Sequence, residues 1–597
     1  MVDLRAKPYY LNDEQIKWVE DTIASMTTEE KIKQLFVHLT GAEDNEEIAR
    51  DEATDMKMGA IRFNPKSKEV MWKMNYNFQK YSKIPVLSAV NVEAGGNGAT
   101  SSGTNVGQQI KIAATNDTEY AYKMGQICGI ETRACGSNWA FSPIVDINQN
   151  WHNPVISTRA YSKDPKVVLD MARAYFKGIS ESGIVCAAKH FPGDGKDERD
   201  QHVATSVNTC SCEEWDETYG MIYKGLIEDG IQSIMPGHIM LPAYQKKFNP
   251  DMKEDEYLPA TICKEIITDL LRGQLGFNGT IVTDASHMVG LAGRGKRSEI
   301  VPKAIMAGCD MFLFYNDYEE DVGYMTKAYE SGYLTEERLS DALHRILGLK
   351  AVAGLANFTL DKFPPVEGLE AVGKPEYQQV AEEVSDKAIT LVKQVGENIF
   401  PITKYKRILL VEVGPKPNEM IAMAGMAAGG KGLVDQVKEE LEKYGHEVEI
   451  YVDPVKKMME MMARLSPEER AKMMGQGLSK KGVYGMKMSI EALTSKYDMV
   501  LLIANVNATM RTTQRLEWAI SKGGWDNPWY VNELPTVFVS FNCPFHLADV
   551  PQVKNFINCY DPAPSSVRWL VKKLEGESEF KGISPVDAFC GLMDTRF

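Results

Sequence analysis

Eight short β-like runs alternate with stretches of helical periodicity between Lys33 and Tyr315, and this alternation restricts the fold more than any other feature of the chain. The runs are 33–38, 59–63, 85–90, 139–145, 183–188, 232–235, 280–283 and 310–315. Between them, segments such as 120–127, 167–176 and 262–271 repeat apolar residues at steps of three and four, which places them on one helix face. Strands that alternate with helices predict parallel pairing through crossover helices, and eight such units predict a (β/α)8 TIM-type barrel. A helix over 336–352 closes this part, and the stretch 357–375, with three prolines and little periodicity, is expected to be a linker.

At 597 residues the chain exceeds what one hydrophobic core organises, so a second domain is expected. The expected division is a catalytic barrel over 1–356, the linker over 357–375 and an α/β-sandwich domain over 376–597. In the last part a helix is expected over 376–392, followed by strands at 407–413, 447–452, 499–504, 535–540 and 553–560 in an open three-layer sheet. The Met- and Lys-rich stretch 456–487 is expected to be a helical insertion with its Met face packed on the domain. Residues 429–432, Gly-Gly-Lys-Gly, lack the spacing and the Ser/Thr of a phosphate-binding loop and are taken as an ordinary loop.

A hydrophobic fraction of 44% and a charged fraction of 25% are those of a soluble globular protein. A net charge of -15 argues against nucleic acid or an anionic membrane as partner and suits a neutral substrate. No apolar run is long enough to span a bilayer, and the first residues lack the apolar region of a secretory signal. The 10 cysteines are scattered, as reduced thiols are, so a cytoplasmic location is expected. Cys210 and Cys212 form a close pair without a second pair at zinc-site spacing, and neither a metal nor a cofactor is expected.

The carboxyl ends of barrel strands open on one face, so the residues after each run are the candidates for chemistry. Runs three to seven end in Asn91-Val92-Glu93, Asp146, Lys189-His190, Pro236-Gly237-His238 and Asp284-Ala285-Ser286-His287. Polar groups at five successive strand ends predict an active site. Asp284 is expected to project beside Lys189 and His190, where nearby cations keep a carboxylate ionised. A fixed, ionised carboxylate suits a glycosidase, which needs it for a covalent glycosyl intermediate or for an oxocarbenium-like state; a structural ion pair with Lys189 is the alternative. The loop after Lys189 offers Asp194, Asp197, Glu198 and Asp200 as a second carboxyl group, and also His202. Asp200 and His202 stand two apart, so in extended chain they point the same way, and a carboxylate beside an imidazole orients it and favours its cation. A solvated run of charge is the plainer alternative for this loop.

The segments Phe141-Ser142-Pro143-Ile144-Val145-Asp146, Asn153-Pro154 through Arg159-Ala160-Tyr161, Lys189-His190-Phe191-Pro192-Gly193 and Val282-Thr283-Asp284 occur in an order that resembles family 3 glycoside hydrolases, in particular their bacterial β-N-acetylglucosaminidase branch. The resemblance implies that Asp284 is the nucleophile and that Asp200-Gln201-His202 matches the branch's Asp-Ser-His acid/base dyad. It also implies that Lys189, His190 and Arg159 hold the sugar; Asn91, Asp146 and His238 complete the expected substrate-binding set. Two positions depart from the pattern: Asp194 stands where the branch commonly has a loop His, and Asn91 where the family usually has an Asp that grips the outer hydroxyls. The expectation is a retaining, exo-acting enzyme that releases terminal β-linked N-acetylglucosamine from an oligosaccharide or glycoside, with a homodimer allowed for. Phosphate could replace water as acceptor. A β-glucosidase of the same family, an inactive sugar-binding homologue and a metal-dependent barrel hydrolase are the rivals.

Overall fold

Residues 2–414, 432–452, 463–469, 490–507, 513–518 and 525–597 are described by the computed structural model. Of the stretch expected to form a Met-rich insertion, 456–487, only 463–469 lie within them, and 429–431 of the glycine-lysine stretch lie outside. The chain divides into two compact units, Met1–Val384 and Ser385–Phe597. The dividing point lies inside the helix Pro375–Ala388.

The first unit holds eight parallel strands: β1 (Phe36–Leu39), β2 (Ala60–Arg62), β3 (Leu87–Val90), β4 (Trp139–Ala140), β5 (Val185–Phe191), β6 (Ser233–Pro236), β7 (Thr280–Ile281) and β8 (Phe312–Leu313). Their order is β8-β1-β2-β3-β4-β5-β6-β7, and a parallel bridge between Val282 and Met311 closes the ring. The fold is the expected (β/α)8 barrel. Successive strand residues enter different cores: Trp139, Val185 and Ala187 join one apolar cluster, Ala140, Cys186 and Ala188 another. Strands buried on both faces account for runs that are apolar throughout rather than alternating. The first strand begins later than its run, because Thr27 and Glu30 form a capping box that starts the helix Thr28–Lys33. The stretch 357–375 lies against barrel helices: Trp72 Nε1 donates to the Pro364 carbonyl at 2.9 Å and Gly373 N to Glu131 Oε1 at 2.8 Å.

Closure of the ring depends on a buried carboxylate. Asp310, fully buried at the start of β8, accepts from Ile281 N of β7 at 2.8 Å. It also accepts from Arg272 Nη2 at 2.7 Å and Arg338 Nη2 at 2.6 Å. These arginines lie on the helices Glu265–Gln274 and Glu336–Val352, so one side chain ties two strands to two helices.

The second unit is a six-stranded sheet of β9 (Thr390–Gln394), β10 (Arg407–Val413), β11 (Glu447–Ile450), β12 (Met499–Ala504), β13 (Thr536–Ser540) and β14 (Asn555–Asn558). The order is β9-β14-β13-β12-β10-β11, with β9 antiparallel to β14 and the other pairs parallel. The helix expected over 376–392 ends at Ala388, and Thr390–Gln394 is the antiparallel edge strand instead. Pairing with β14 and the β-branched residues Ile389, Thr390 and Val392 override the helical continuation. Ile408 and Leu410 face one core, shared with the helices Leu433–Lys443 and Pro564–Leu574, while Leu409 and Val411 face the other. That alternation gives the expected α/β sandwich. No described helix is long and apolar enough to cross a membrane.

Removing one partner of a buried ionic cluster leaves the others uncompensated. Asp310→Ala is therefore expected to destabilise the protein by about 3–5 kcal/mol, read as a lower midpoint in urea unfolding.

Candidate active site

The ends of β2, β3, β5 and β7 meet at one rim. β5 is buried along all seven residues and delivers Lys189 and His190 side by side. Lys189 Nζ lies 2.7 Å from Glu93 Oε1. Arg159 forks the same carboxylate, Nε to Oε2 at 3.0 Å and Nη2 to Oε1 at 3.1 Å. Burial alone would raise the Glu93 carboxyl, but Arg159 and Lys189 hold it well below the usual carboxylate range. Burial pulls the Lys189 ammonium down, with Glu93 opposing the shift. Asn91 Oδ1 accepts weakly from Lys189 Nζ at 3.4 Å.

His190 is set by Asp146, whose Oδ2 accepts from His190 Nδ1 at 2.7 Å and whose Oδ1 accepts from His190 N at 3.2 Å. A carboxylate can only accept, so Nδ1 carries a proton and Nε2 is left to face Asp284 Oδ2 at 3.8 Å. Asp284 Oδ1 accepts from Ala285 N at 2.7 Å. Burial would raise the Asp284 carboxyl, but His190, His238, the Ala285 N–H and His202 outweigh it and hold the group below its ordinary value. The fourth element is the loop after β5. Asp200 Oδ1 accepts from His202 Nδ1 at 2.7 Å and from His202 N at 2.8 Å. That hydrogen bond raises the His202 pKa against the opposing effect of burial. The Asp200 side chain is 8% exposed and that of His202 is 52% exposed, so the carboxylate is walled in and the ring reaches out.

Arg159, Lys189, His190, His202, Asn91 and Asp284 line one cavity of about 270 Å³, with Phe141, Met235 and Phe314 as its apolar walls. Asp146 and His238, expected as sugar contacts, stand behind this lining and are fully buried. The oxygens of Asp146 are occupied by protein N–H groups. His238 donates from Nε2 to the Ala285 carbonyl at 2.9 Å and accepts at Nδ1 from the Thr261 hydroxyl at 2.9 Å. Burial lowers its pKa, in keeping with a neutral ring bonded at both nitrogens. Asp194 is also enclosed, and burial, with Asp146 nearby, pushes its carboxyl up to about 7.

The set expected from sequence omits Glu93, the carboxylate that joins two of its members, and Arg62, which lines the cavity from the end of β2. Among the described residues Arg62 Nη1 is buried without a hydrogen-bond partner, and burial lowers the group to about 10, with Glu93 opposing. Arg62 is the charged residue in the run 59–63 and ends its strand, a signal that was available in the sequence. Among the described residues no cluster of three or more His, Cys, Asp or Glu has the geometry of a metal site.

A parallel barrel whose rim gathers a carboxylate held ionised, an imidazole paired with a second carboxylate and a cluster of cationic and polar groups is a barrel enzyme of the glycoside hydrolase class. Comparison with known proteins agrees. The model of the glycosyl hydrolase family 3 N terminal domain matches residues 27–349. The chain is 38% identical over 601 residues, covering 100% of both proteins, to a β-N-acetylglucosaminidase/β-glucosidase of Cellulomonas fimi. It is 29% identical over 341 residues to β-hexosaminidase A of Pseudoalteromonas piscicida, covering 53% of this chain and 55% of that one. Among solved structures, the β-glucoside phosphorylase BglX superposes with a TM-score of 0.87 at 36% identity, over 99% of each chain. A family 3 β-N-acetylglucosaminidase from Paenibacillus sp. str. FPU-7, at 24% identity and a TM-score of 0.73 over 95% of this chain and 100% of that one, shares the fold. The chain belongs to glycosyl hydrolase family 3.

Glu93 carries the charge balance of the cavity wall. Glu93→Gln leaves Lys189 and Arg159 buried without their shared carboxylate. It is expected to cost roughly 3–5 kcal/mol of stability, read by denaturant unfolding, and to raise KM for an aryl glycoside.

Proposed function

We propose that this enzyme is an exo-acting, retaining β-glycosidase whose glycon is a terminal N-acetylglucosamine, with Asp284 as nucleophile and His202 as acid/base. The observation that carries this reading is the pairing of opposite proton states in one cavity: Asp284 is held ionised, and His202 is held toward its cation by Asp200. In the first step Asp284 Oδ2 attacks the anomeric carbon while His202 gives its Nε2 proton to the leaving oxygen. In the second, His202 takes a proton from the acceptor, which displaces Asp284 and restores the starting anomer. Lys189, Arg159 and Asn91 bind sugar hydroxyls from the wall, and His190 holds its Nε2 toward Asp284. Asp146 and His238 act as positioning groups, Asp146 on His190 and His238 on the Asp284 segment. A cavity of about 270 Å³ suits a single sugar ring and hence action at a chain end. The N-acetylglucosamine assignment is supported by the name of the Cellulomonas relative, a β-N-acetylglucosaminidase/β-glucosidase.

Phosphorolysis is the second reading, favoured by two observations. One structural neighbour over 99% of each chain is a β-glucoside phosphorylase. Asp284 is also the one carboxylate lining the cavity among the described residues, so the base that meets the acceptor is an imidazole. A neutral imidazole, unlike a carboxylate, does not repel an incoming phosphate. The deciding measurement is turnover of aryl β-N-acetylglucosaminide and aryl β-glucoside with and without phosphate. Faster turnover with phosphate and a sugar 1-phosphate product would mark phosphorolysis. Free sugar at an unchanged rate would mark hydrolysis. Normal turnover by Asp284→Ala would overturn both.

The roles also fix the pH profile of kcat/KM, which requires Asp284 ionised and His202 protonated. By themselves, Asp284 and His202 set the acid limb below the ordinary carboxylate range and the alkaline limb above the ordinary imidazole value of about 6.5. Asp200→Asn removes the hydrogen-bonded anion that raises His202. Its alkaline limb should move to lower pH while the acid limb stays, as measured on one aryl glycoside across the range.

A further inference from the structure

The loop that carries Asp200 and His202 must hold a half-exposed imidazole at a fixed place in the cavity. Among the described residues the His202 ring is bonded to Asp200 alone, and the loop backbone docks through Val289 N to the His202 carbonyl at 2.9 Å. The residue between the pair is different: Gln201 is 1% exposed, deeper than either neighbour. Its Oε1 accepts from His238 N at 2.7 Å, and its Nε2 donates to Asp194 Oδ2 at 3.1 Å. The backbone around it is bare. A Cβ at Gly237 would meet Gln201 Oε1 at 2.8 Å, and one at Gly290 would meet the Gln201 carbonyl at 2.3 Å. Two glycines therefore make the seat that the Gln201 residue fills.

Asp194 is the other half of this seat. Its Oδ1 accepts from Asn153 Nδ2 at 3.0 Å and Gly195 N at 2.6 Å, while Oδ2 accepts from Gln201. Its own N–H donates to Asp146 Oδ1 at 2.7 Å, the carboxylate that sets His190. On the far side of Gln201, the His238 ring holds the Ala285 carbonyl, and Ala285 N holds Asp284. One line of hydrogen bonds thus runs from the sugar-facing His190 through Asp194 and Gln201 to the segment of the nucleophile.

We propose that Asp194 is a positioning residue that locks Gln201 into its seat and thereby places the Asp200–His202 pair over the anomeric centre. This rests on the reading of His202 as acid/base. The lock requires a group that accepts at both oxygens, which Asp194 does as a carboxylate, so it is tested above the pH of about 7 to which burial pushes this group. An amide at 194 can accept at one end only. If its NH2 faces Gln201, the glutamine must turn its oxygen toward it and set its own NH2 against the His238 N–H. Asp194→Asn therefore breaks the lock without changing volume, and Gln201→Glu breaks it by setting two carboxylates together. The double variant Asp194→Asn/Gln201→Glu restores every donor and acceptor: the new amide donates to the new carboxylate, which still accepts from His238 N.

The test compares kcat/KM on two aryl β-glycosides of the same sugar, one with a dinitrophenyl leaving group that departs without protonation and one with a poor, unactivated leaving group. General-acid assistance is worth roughly 10²–10⁴-fold. Asp194→Asn and Gln201→Glu are each expected to lose about 10²-fold or more on the poor leaving group and little on the activated one, whose retained turnover shows that the variants are folded. Azide, which attacks the glycosyl–Asp284 ester without needing a base and yields the glycosyl azide, should speed turnover of the activated substrate by both variants. The double variant should recover the poor substrate. Equal losses on both substrates, no loss on either, or a double variant no better than the singles would overturn the lock. His202→Ala is the control: if it shows no dependence on the leaving group, the acid/base reading itself fails, a result distinct from failure of the lock alone.

Discussion

A closed ring of parallel strands has all its carboxyl ends on one rim, and the chemistry of this protein depends on that constraint. Arg62, Asn91, Lys189, His190 and Asp284 come from four strands spread over more than two hundred residues, yet they line one cavity because their strands stop at the same level. The ring is held shut between β7 and β8, where pairing is short and a single bridge supplements the Asp310 cluster. The site thus rests on an ionic knot built into the barrel wall.

Within the rim, ionisable groups are buried in pairs that decide one another's state. Glu93 is shared by Lys189 and Arg159, and Asp146 is given to His190. In these pairs each buried charge is compensated, which is the condition for keeping it away from water. Two carboxylates of the same neighbourhood diverge as a result. Asp284 is held down by the imidazoles around it despite its burial, while burial, with Asp146 beside it, pushes Asp194 up. The same residue type serves as a charged group in one place and as a structural acceptor in the other.

Much of this was legible in the sequence. The strand-end inventory placed Lys189, His190 and Asp284 together, and the two-residue spacing of Asp200 and His202 gave a pair that the structure shows bonded at 2.7 Å. The inventory misjudged depth. Asp146 and His238 follow their runs as the cavity-lining residues do, but their side chains turn to protein partners behind the cavity. Arg62 was hidden within an otherwise apolar run, and Glu93 stood in the inventory at the end of run three, where Asn91 was taken instead. Asp194 looked like a candidate acid because its loop is rich in charge, yet it is among the most buried residues there.

The sequence by itself determined the periodicities, and with them the eight strands, the sandwich and the order of chemical groups along the rim, because hydrophobic spacing and strand count are local or additive properties. Which groups face the cavity, which support them and which carboxylates stay ionised was decided only by the tertiary structure. Those properties depend on distances between residues far apart in the chain, such as Glu93 with Arg159 and Asp194 with Gln201, and on how much water each pair excludes.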